Sequence, residues 1–327
     1  MSPSVGSENL QSPVFLAPMA GITDLPTRRL VQGFGAGLVV SEMVASQEMV
    51  QARPQARARA ELGLGLEGTA VQIAGREARW MAECARMVAD MGARIVDINM
   101  GCPAKKVTNG LSGSALMRTP DHALSLIEAV VGAVDVPVTV KMRLGWDDRS
   151  HNADRIARRA QDAGVSMVTV HGRTRCQFYK GRADWAAIRP VVDAVDLPVI
   201  ANGDIVDGAT AALALKKSGA VGVMVGRGAQ GRPWLLAQIA HGLGQGPAPH
   251  VPQGAARIEM ICAHHEALLA FYGTELGLRC ARKHLGWYMD DLDTPRALRR
   301  EALTAATPRA AVAALRRLDP ACEREAA

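Results

Sequence analysis

Cys102 stands between Gly101 and Pro103, directly after the apolar run Ile95–Asn99. Proline fixes its own φ and biases the preceding residue toward an extended backbone, so the thiol is presented on a stiff loop at a strand end. Asn99, three residues upstream, can hydrogen-bond a planar polar substrate, and Lys105 and Lys106 follow at once. Gly110 and Gly113 let the next turn bend close to a ligand. Two readings compete: a cysteine acting as acid or nucleophile, or a buried structural thiol, the commoner state of free cysteine. The glycine–proline frame and the adjacent lysines favour the first.

Further chemistry-bearing residues recur where other apolar runs stop. Lys141 closes Val138-Thr-Val140, where it must either reach solvent or neutralise an anion. His171 follows Val168-Thr-Val170 and opens His171-Gly-Arg-Thr-Arg175; alone it also fits an ordinary rim histidine. Gln72 ends a third run, and Pro18-Met19-Ala20 follow the first. Asn202-Gly203-Asp204 and Gly226-Arg227-Gly228 end the last two. Glycine-rich loops there suit a phosphate, cradled by backbone N–H groups with Arg227 adding a charge-assisted contact. A phosphate-bearing cofactor with its ring over these strand ends would also account for Lys141, as a cation beside a flavin.

What must position these groups is a repeating unit. Buried-strand candidates are Val14–Ala17, Gly37–Ser41, Thr69–Ile73, Ile95–Asn99, Val138–Lys141, Met167–Val170, Val199–Ala201 and Gly222–Val225. Amphipathic stretches lie between them, among them Ala78–Met91, Pro120–Val134, Ala153–Ala163 and Ala209–Ser218. The connection Ala133-Val-Asp-Val-Pro137 recurs as Ala194-Val-Asp-Leu-Pro198. Eight β/α units predict an α/β fold of the TIM (β/α)8 type, with a doubly wound sheet as the rival. The predicted organisation is an N-terminal tail over 1–13, a barrel over 14–242 and a Pro/Gly-rich linker over 243–252. A small helical bundle over 253–327 follows, broken at Pro295 and Pro308.

Composition narrows the setting. Hydrophobic residues make up 48% of the chain and aromatics 4%, which favours small-residue packing of helices on a sheet over an aromatic-rich sandwich. A net charge of +6 permits a polyanionic partner without requiring one. The six cysteines (Cys84, Cys102, Cys176, Cys262, Cys280, Cys322) form no CxxC pair, so neither a metal site nor an iron–sulfur cluster is expected. Met1–Ser12 is too polar for a signal peptide, and no apolar run reaches the roughly 18–20 residues of a membrane span. A reducing cytoplasm is the expected compartment.

The ordered motifs resemble those of the tRNA-dihydrouridine synthases, most closely the bacterial B-type branch with its nitrogen-regulation-like members. Asp97-Ile-Asn-Met-Gly-Cys-Pro-Ala-Lys-Lys-Val107 with Gly113-Ser-Ala-Leu116 is the most specific piece. Ala17-Pro-Met-Ala-Gly-Ile-Thr-Asp24, Val71-Gln-Ile-Ala-Gly75, His171-Gly-Arg-Thr-Arg175 and Ile200-Ala-Asn-Gly-Asp-Ile205 support it. So do Gly226-Arg-Gly-Ala-Gln-Gly-Arg-Pro-Trp234 and Ala281-Arg-Lys-His-Leu-Gly-Trp-Tyr288 in the helical region. The likeness runs from Val14 to the final helices.

The resemblance implies an FMN enzyme that uses NADPH to reduce particular tRNA uridines to 5,6-dihydrouridine. It places FMN contacts on Pro18, Met19, Ala20, Gln72, Lys141, His171, Asn202, Gly203, Asp204, Gly226 and Arg227. It makes Cys102 the general acid that protonates carbon 5 as hydride reaches carbon 6, and puts Asn99 against the target uracil. The target base must then be turned out of the stacked tRNA. Arg175 is expected on the substrate side, and Arg173, Arg175, Lys180, Arg182, Lys105 and Lys106 are candidate phosphate contacts. A monomer is the expected state. The alternatives are an FMN oxidoreductase acting on a free pyrimidine and a non-catalytic RNA-binding regulatory protein.

Overall fold

Strand after strand in this chain alternates apolar side chains outward with a mixed set inward, the two faces a sheet needs when it closes into a barrel. The computed structural model describes residues 4–53, 60–61 and 69–318. In chain order the strands are β1 (Ser4–Val5), β2 (Glu8–Asn9), β3 (Val14–Leu16), β4 (Leu38–Val40), β5 (Val44–Ala45) and β6 (Thr69–Ala74). There follow β7 (Ile95–Met100), β8 (Val138–Arg143), β9 (Met167–His171), β10 (Val199–Asn202) and β11 (Gly222–Val225). Strands β3, β4, β6, β7, β8, β9, β10 and β11 pair in parallel, and β11 returns to β3. This is the predicted (β/α)8 barrel; the doubly wound alternative is excluded by that closure.

The expected strand boundaries differ mainly at the C-terminal ends. β6, β7, β9 and β10 run one residue further than expected and β8 two, so Ala74, Met100, His171, Asn202 and Arg143 are strand residues rather than loop residues. The second barrel strand is broken: β4 and the short β5 both pair with β6, with Ser41–Met43 between them. Ser41 Oγ repairs the gap by accepting from the Gln72 backbone N–H at 3.0 Å.

Outward side chains such as Val96, Ile98, Val140 and Val168 pack against Met81, Val88, Leu126, Ile127 and Val130 of the surrounding helices. Truncating one of them, for instance Ile98→Ala, is expected to cost about 2–5 kcal/mol. Inward, Phe15, Leu38, Ala70, Ile95, Met167, Ile200 and Met224 fill the barrel floor. Below them the expected N-terminal tail is structured: β1 and β2 form a hairpin whose Val5 joins this cluster along with Leu10. Gly6 turns that hairpin at φ +57°, and a Cβ there would meet Pro137 Cγ at 2.8 Å.

Four further helices complete the described chain: Gly254–Tyr272, Thr274–Asp291, Arg296–Thr304 and Pro308–Arg316. Pro308 starts the last at a position where a missing N–H costs nothing, and Thr307 caps it through Ala310 N at 3.2 Å. The first two helices pack so closely that a Cβ on Gly277 would lie 2.8 Å from Leu269 Cα. Ile258, Ile261, Leu285, Met289, Ala314 and Leu315 form their core, against which Leu30 of the first barrel helix (Leu25–Gly33) also packs. Residues 319–327, including Cys322, lie outside the described residues. Among the described residues no helix is long and apolar enough to cross a membrane.

Candidate active site

At the C-terminal end of the barrel the inward positions turn from apolar to polar. On β7, Ile95 lies on the floor, Asp97 in the middle and Asn99 at the mouth; on β8 the same step runs Thr139, Lys141, Arg143. His171 on β9 pairs with Arg143 and Asn202 on β10 with His171, while Gln72 on β6 stands opposite Asp97 and reaches up to Asn99 through its side chain. The sequence-predicted residues Gln72, Asn99, Lys141, His171 and Asn202 therefore share one rim.

Cys102 leaves β7 on a loop held from both sides. Its N–H donates to Asn99 Oδ1 at 3.0 Å, and the Gly101 N–H donates to the same oxygen at 3.2 Å. Its carbonyl accepts from Ser114 N at 3.1 Å and Ser114 Oγ at 2.8 Å. Gly113 must be glycine there: its φ is +60°, and a Cβ would lie 2.9 Å from the Cys102 carbonyl. The thiol is half-exposed and within electrostatic reach of Lys141 and Arg143. Lys105 and Lys106 instead point to solvent from the short helix Lys105–Thr108.

Charge at the mouth is lopsided. Burial pulls Lys141 down to about 8, with Arg143 adding to the effect, and pulls Arg143 down to about 10. His171 is driven well below its ordinary value by burial and by Lys141, Arg143, Arg173 and Arg227. His171 is therefore neutral at pH 7, and its Nε2, 3.3 Å from Arg173 Nη1, must be the accepting nitrogen because a guanidinium only donates. Lys141 Nζ donates to Asn202 Oδ1 at 3.0 Å, while Asn202 Nδ2 donates to the Met224 carbonyl at 2.8 Å. A site with more cations than acids fits an anionic ligand.

The last two mouths contribute backbone as well as charge. Gly203 (φ +115°) and Asp204 (φ +53°) both take positive φ, a tight turn that brings backbone close to the mouth. The Asp204 carboxylate is occupied: it accepts from Arg173 Nη1 at 3.0 Å, Arg173 Nη2 at 2.6 Å and Ala183 N at 2.8 Å. Although burial opposes it, the Arg173 contacts hold that carboxyl below the usual range. Gly226 lies beside Met19, whose Sδ would be 3.6 Å from a Cβ there. Arg227 is mostly exposed, 3.5 Å from Asp204 Oδ1. Pro18 and Met19 are half-exposed and Ala20 exposed on the loop after β3, where Gly21 N donates to Glu42 Oε1.

Not every expected surface cation is on the surface. Arg173 is 1% exposed, and besides Asp204 it donates to the Lys180 and Gly181 carbonyls. It is a buried strut and not a phosphate contact, because a guanidinium with that many partners has no face left for a ligand. Arg175 is half-buried, stacked 4.7 Å from the Trp146 centroid, with Nη2 3.4 Å from Thr108 Oγ1. Lys180, Arg182, Lys105 and Lys106 do face solvent.

Sequence reasoning missed three residues. Asp97 is buried under the rim and pushed up to about 6 by that burial. Arg143 ties the Cys102 loop to the loop after β9, donating to the carbonyls of Gly101, Thr174 and Phe178 at 2.8 Å each. Tyr179 lies between Arg143 and Arg227, its ring centroid 5.5 and 5.3 Å from their guanidinium carbons. A charged residue at an inward position of a buried strand was the available signal for the first two. Among the described residues no group of three or more His, Cys, Asp or Glu side chains is gathered as a metal would need.

Comparison with known proteins places this arrangement. Residues 15–326 match the family model described as Dihydrouridine synthase (Dus). A Rhodobacter capsulatus protein named probable tRNA-dihydrouridine synthase is 62% identical over 329 residues, covering 100% of both chains. A Rhizobium leguminosarum protein of the same name is 54% identical, covering 86% of each chain. A Xanthomonas campestris protein named tRNA-dihydrouridine synthase B is 46% identical, covering 95% of this chain and 94% of its own.

Proposed function

The chain belongs to the dihydrouridine synthase family, and from that premise we propose that it reduces uridines in tRNA to 5,6-dihydrouridine, with FMN seated at the barrel mouth and NADPH as reductant. The observation that carries this reading is the meeting, on one rim, of a half-exposed thiol with Lys141, Arg143, Arg173 and Arg227, cations in excess of the acids that face them.

The residues present fit FMN. Its phosphate suits the backbone turn at Gly203-Asp204 with Gly226 and the mostly exposed guanidinium of Arg227, whose contact with Asp204 is long at 3.5 Å. Asp204 serves there through its backbone, since its carboxylate is committed to Arg173. Pro18, Met19, Ala20, Gln72, Lys141, His171 and Asn202 line the place for the ring. When bound, FMN supplies the hydride that carbon 6 of the uracil takes up.

The chain's own residues do the rest. Cys102 donates the proton to carbon 5, a step worth about 10²–10⁴-fold in general acid catalysis. Asn99 spends one amide N–H on Gln72 Oε1 and keeps the other for a uracil carbonyl. Lys141, held by Asn202, and Arg143, held by three carbonyls, would provide positive charge beside the cofactor ring and the uracil, where negative charge on either would be stabilised. Because a stacked base cannot reach this depth, the target uridine is extruded into the mouth. Lys105, Lys106, Lys180 and Arg182 stand outside to meet the phosphate backbone, and Arg175 behind them orders the loop through Trp146.

The test is direct. Purified protein should show a flavin absorption spectrum and oxidise NADPH in the presence of an unmodified tRNA transcript, with dihydrouridine appearing in that transcript. Absence of flavin together with failure to bind added FMN overturns the catalytic reading, and reduction of free uracil or uridine in preference to tRNA overturns the substrate.

A further inference from the structure

Asp97 is used by nothing described so far, yet it sits directly below Asn99 on the inward face of β7. Its Oδ1 accepts from Thr139 Oγ1 at 2.6 Å and its Oδ2 from Gln72 Nε2 at 2.6 Å. Gln72 Oε1 then accepts from Asn99 Nδ2 at 2.7 Å, and Asn99 Oδ1 accepts from the N–H groups of Gly101 and Cys102. The chain of bonds Asp97–Gln72–Asn99–Cys102 has one direction. An ionised carboxylate can only accept, so the Gln72 amide must turn its NH2 toward Asp97 and its oxygen toward Asn99. Asn99 must in turn offer NH2 to Gln72, which leaves its oxygen for the two backbone N–H groups. The backbone N–H groups of Gly101 and Cys102, which can only donate, ask for the same order from the other end, so an acid at 97 and the loop agree at every link, whereas an amide at 97 no longer enforces it. Were both to flip, the Asn99 NH2 would confront the N–H of Cys102, donor against donor, and the loop would lose both of its bonds to Asn99, keeping those to Ser114 and Arg143.

We propose that Asp97 is a positioning residue: its carboxylate sets the orientation of the Gln72 and Asn99 amides and through them holds the Cys102 backbone at the barrel mouth. The effect on turnover rests on the reading of Cys102 as proton donor, whereas the positioning itself does not. The same ordering leaves the second Asn99 N–H pointing away from Gln72, so one buried acid fixes both the loop of the thiol and the donor beside it.

The experiment follows iodoacetamide alkylation of the peptide carrying residue 102 by mass spectrometry, with exposed Cys176 as the internal reference in the purified protein. Asp97→Asn nearly preserves shape but can donate toward residue 72 and so permits the reversed chain. It is expected to raise Cys102 alkylation at least threefold relative to Cys176 and to lower kcat on tRNA at least tenfold with KM changed less than twofold. Adding Gln72→Glu moves the carboxylate one step along the chain, where it can accept only, from Asn99 and from the new amide at 97. The double variant is expected to return Cys102 alkylation to within twofold of wild type. Wild-type alkylation in Asp97→Asn, or no recovery in the double variant, overturns the proposal. If the single variant does not fold, folding of the double variant supports the directional role and its failure overturns it. Altered alkylation beside a Cys102→Ala protein that turns over normally would remove the proton-donor role and leave the positioning intact.

Discussion

Lys141 Nζ and Asn202 Oδ1 are 3.0 Å apart, so a bond between side chains of β8 and β10 spans the mouth across the strand that carries His171. Asn202 is itself held by the Met224 carbonyl on β11. A half-buried ammonium with one neutral hydrogen-bond partner is costly alone and is best explained by an anionic or electron-rich ligand beside it.

Lys141 should therefore couple flavin binding to pH. Burial brings it down to about 8, so the free protein loses this charge as pH rises through that value. A ligand that prefers the ammonium must then bind more weakly above pH 8 than below it. Affinity for FMN, measured by fluorescence quenching, is expected to fall several-fold between pH 7 and 9, whereas Lys141→Met should start about tenfold weaker, one charge-assisted contact, and stay flat. A parallel decline in the variant would take the effect away from Lys141.

Cys102→Ala should leave flavin content and thermal midpoint near wild type, because the loop is held by backbone and not by sulfur. Turnover on tRNA should drop at least about 10²-fold. The split is what matters: with the hydride source intact, reduction of the bound flavin by NADPH should proceed at the normal rate in stopped-flow absorbance. Wild-type turnover on tRNA would assign the proton to another donor.

Much of this site was legible because a barrel sorts residues by parity. Short buried runs placed the eight barrel strands, and polar or glycine-rich residues at seven of their ends named the mouth. The boundaries slipped because an inward Arg143 or Asn202 looks like the start of a loop, although it continues the ladder. The hairpin Ser4–Asn9 was illegible because two-residue strands carry no period, and only Val5 and Leu10 betray it. Arg173 was read as a surface cation because nothing local announces its partner, an aspartate 31 positions on. Asp97 lay in plain sight within the most specific motif, but its role depends on Gln72 and Thr139 from two neighbouring strands.

Arg173 and Lys180 should part company when each is removed. Arg173→Ala breaks a bidentate pair with Asp204 and strips two loop carbonyls of a donor. Its cost in denaturant unfolding should be about 2–4 kcal/mol, reduced from a fully buried pair because Asp204 keeps some solvent contact. Lys180→Ala should change stability by less than about 0.5 kcal/mol. It should instead weaken tRNA binding and lower the slope of log affinity against log salt by about 1. Similar stability losses for both would contradict the division between strut and contact.

The seam between barrel and helices should weaken in acid through His264. Its Nε2 is 3.3 Å from Thr27 Oγ1 on the first barrel helix, and its Nδ1 is 2.8 Å from the Tyr288 hydroxyl. Burial, with the neighbouring His265 charge adding to it, pulls His264 down to about 4. The unfolded chain therefore takes up this proton first. The stabilisation is complete above the ordinary histidine value and is lost as pH falls from about 6.5 toward 4. His284, which lies against His264 and is also held well below the ordinary value, adds in the same direction. Asp97, raised to about 6, works the other way in the same window, so the total curve is not diagnostic. The difference is. Replacing His264 by Gln keeps a donor and an acceptor but no titration, and the stability gap between wild type and His264→Gln should shrink by roughly 2 kcal/mol between pH 7 and 4.5. A gap that stays constant across that range would show that His264 carries no proton linkage and that the seam is held by packing alone.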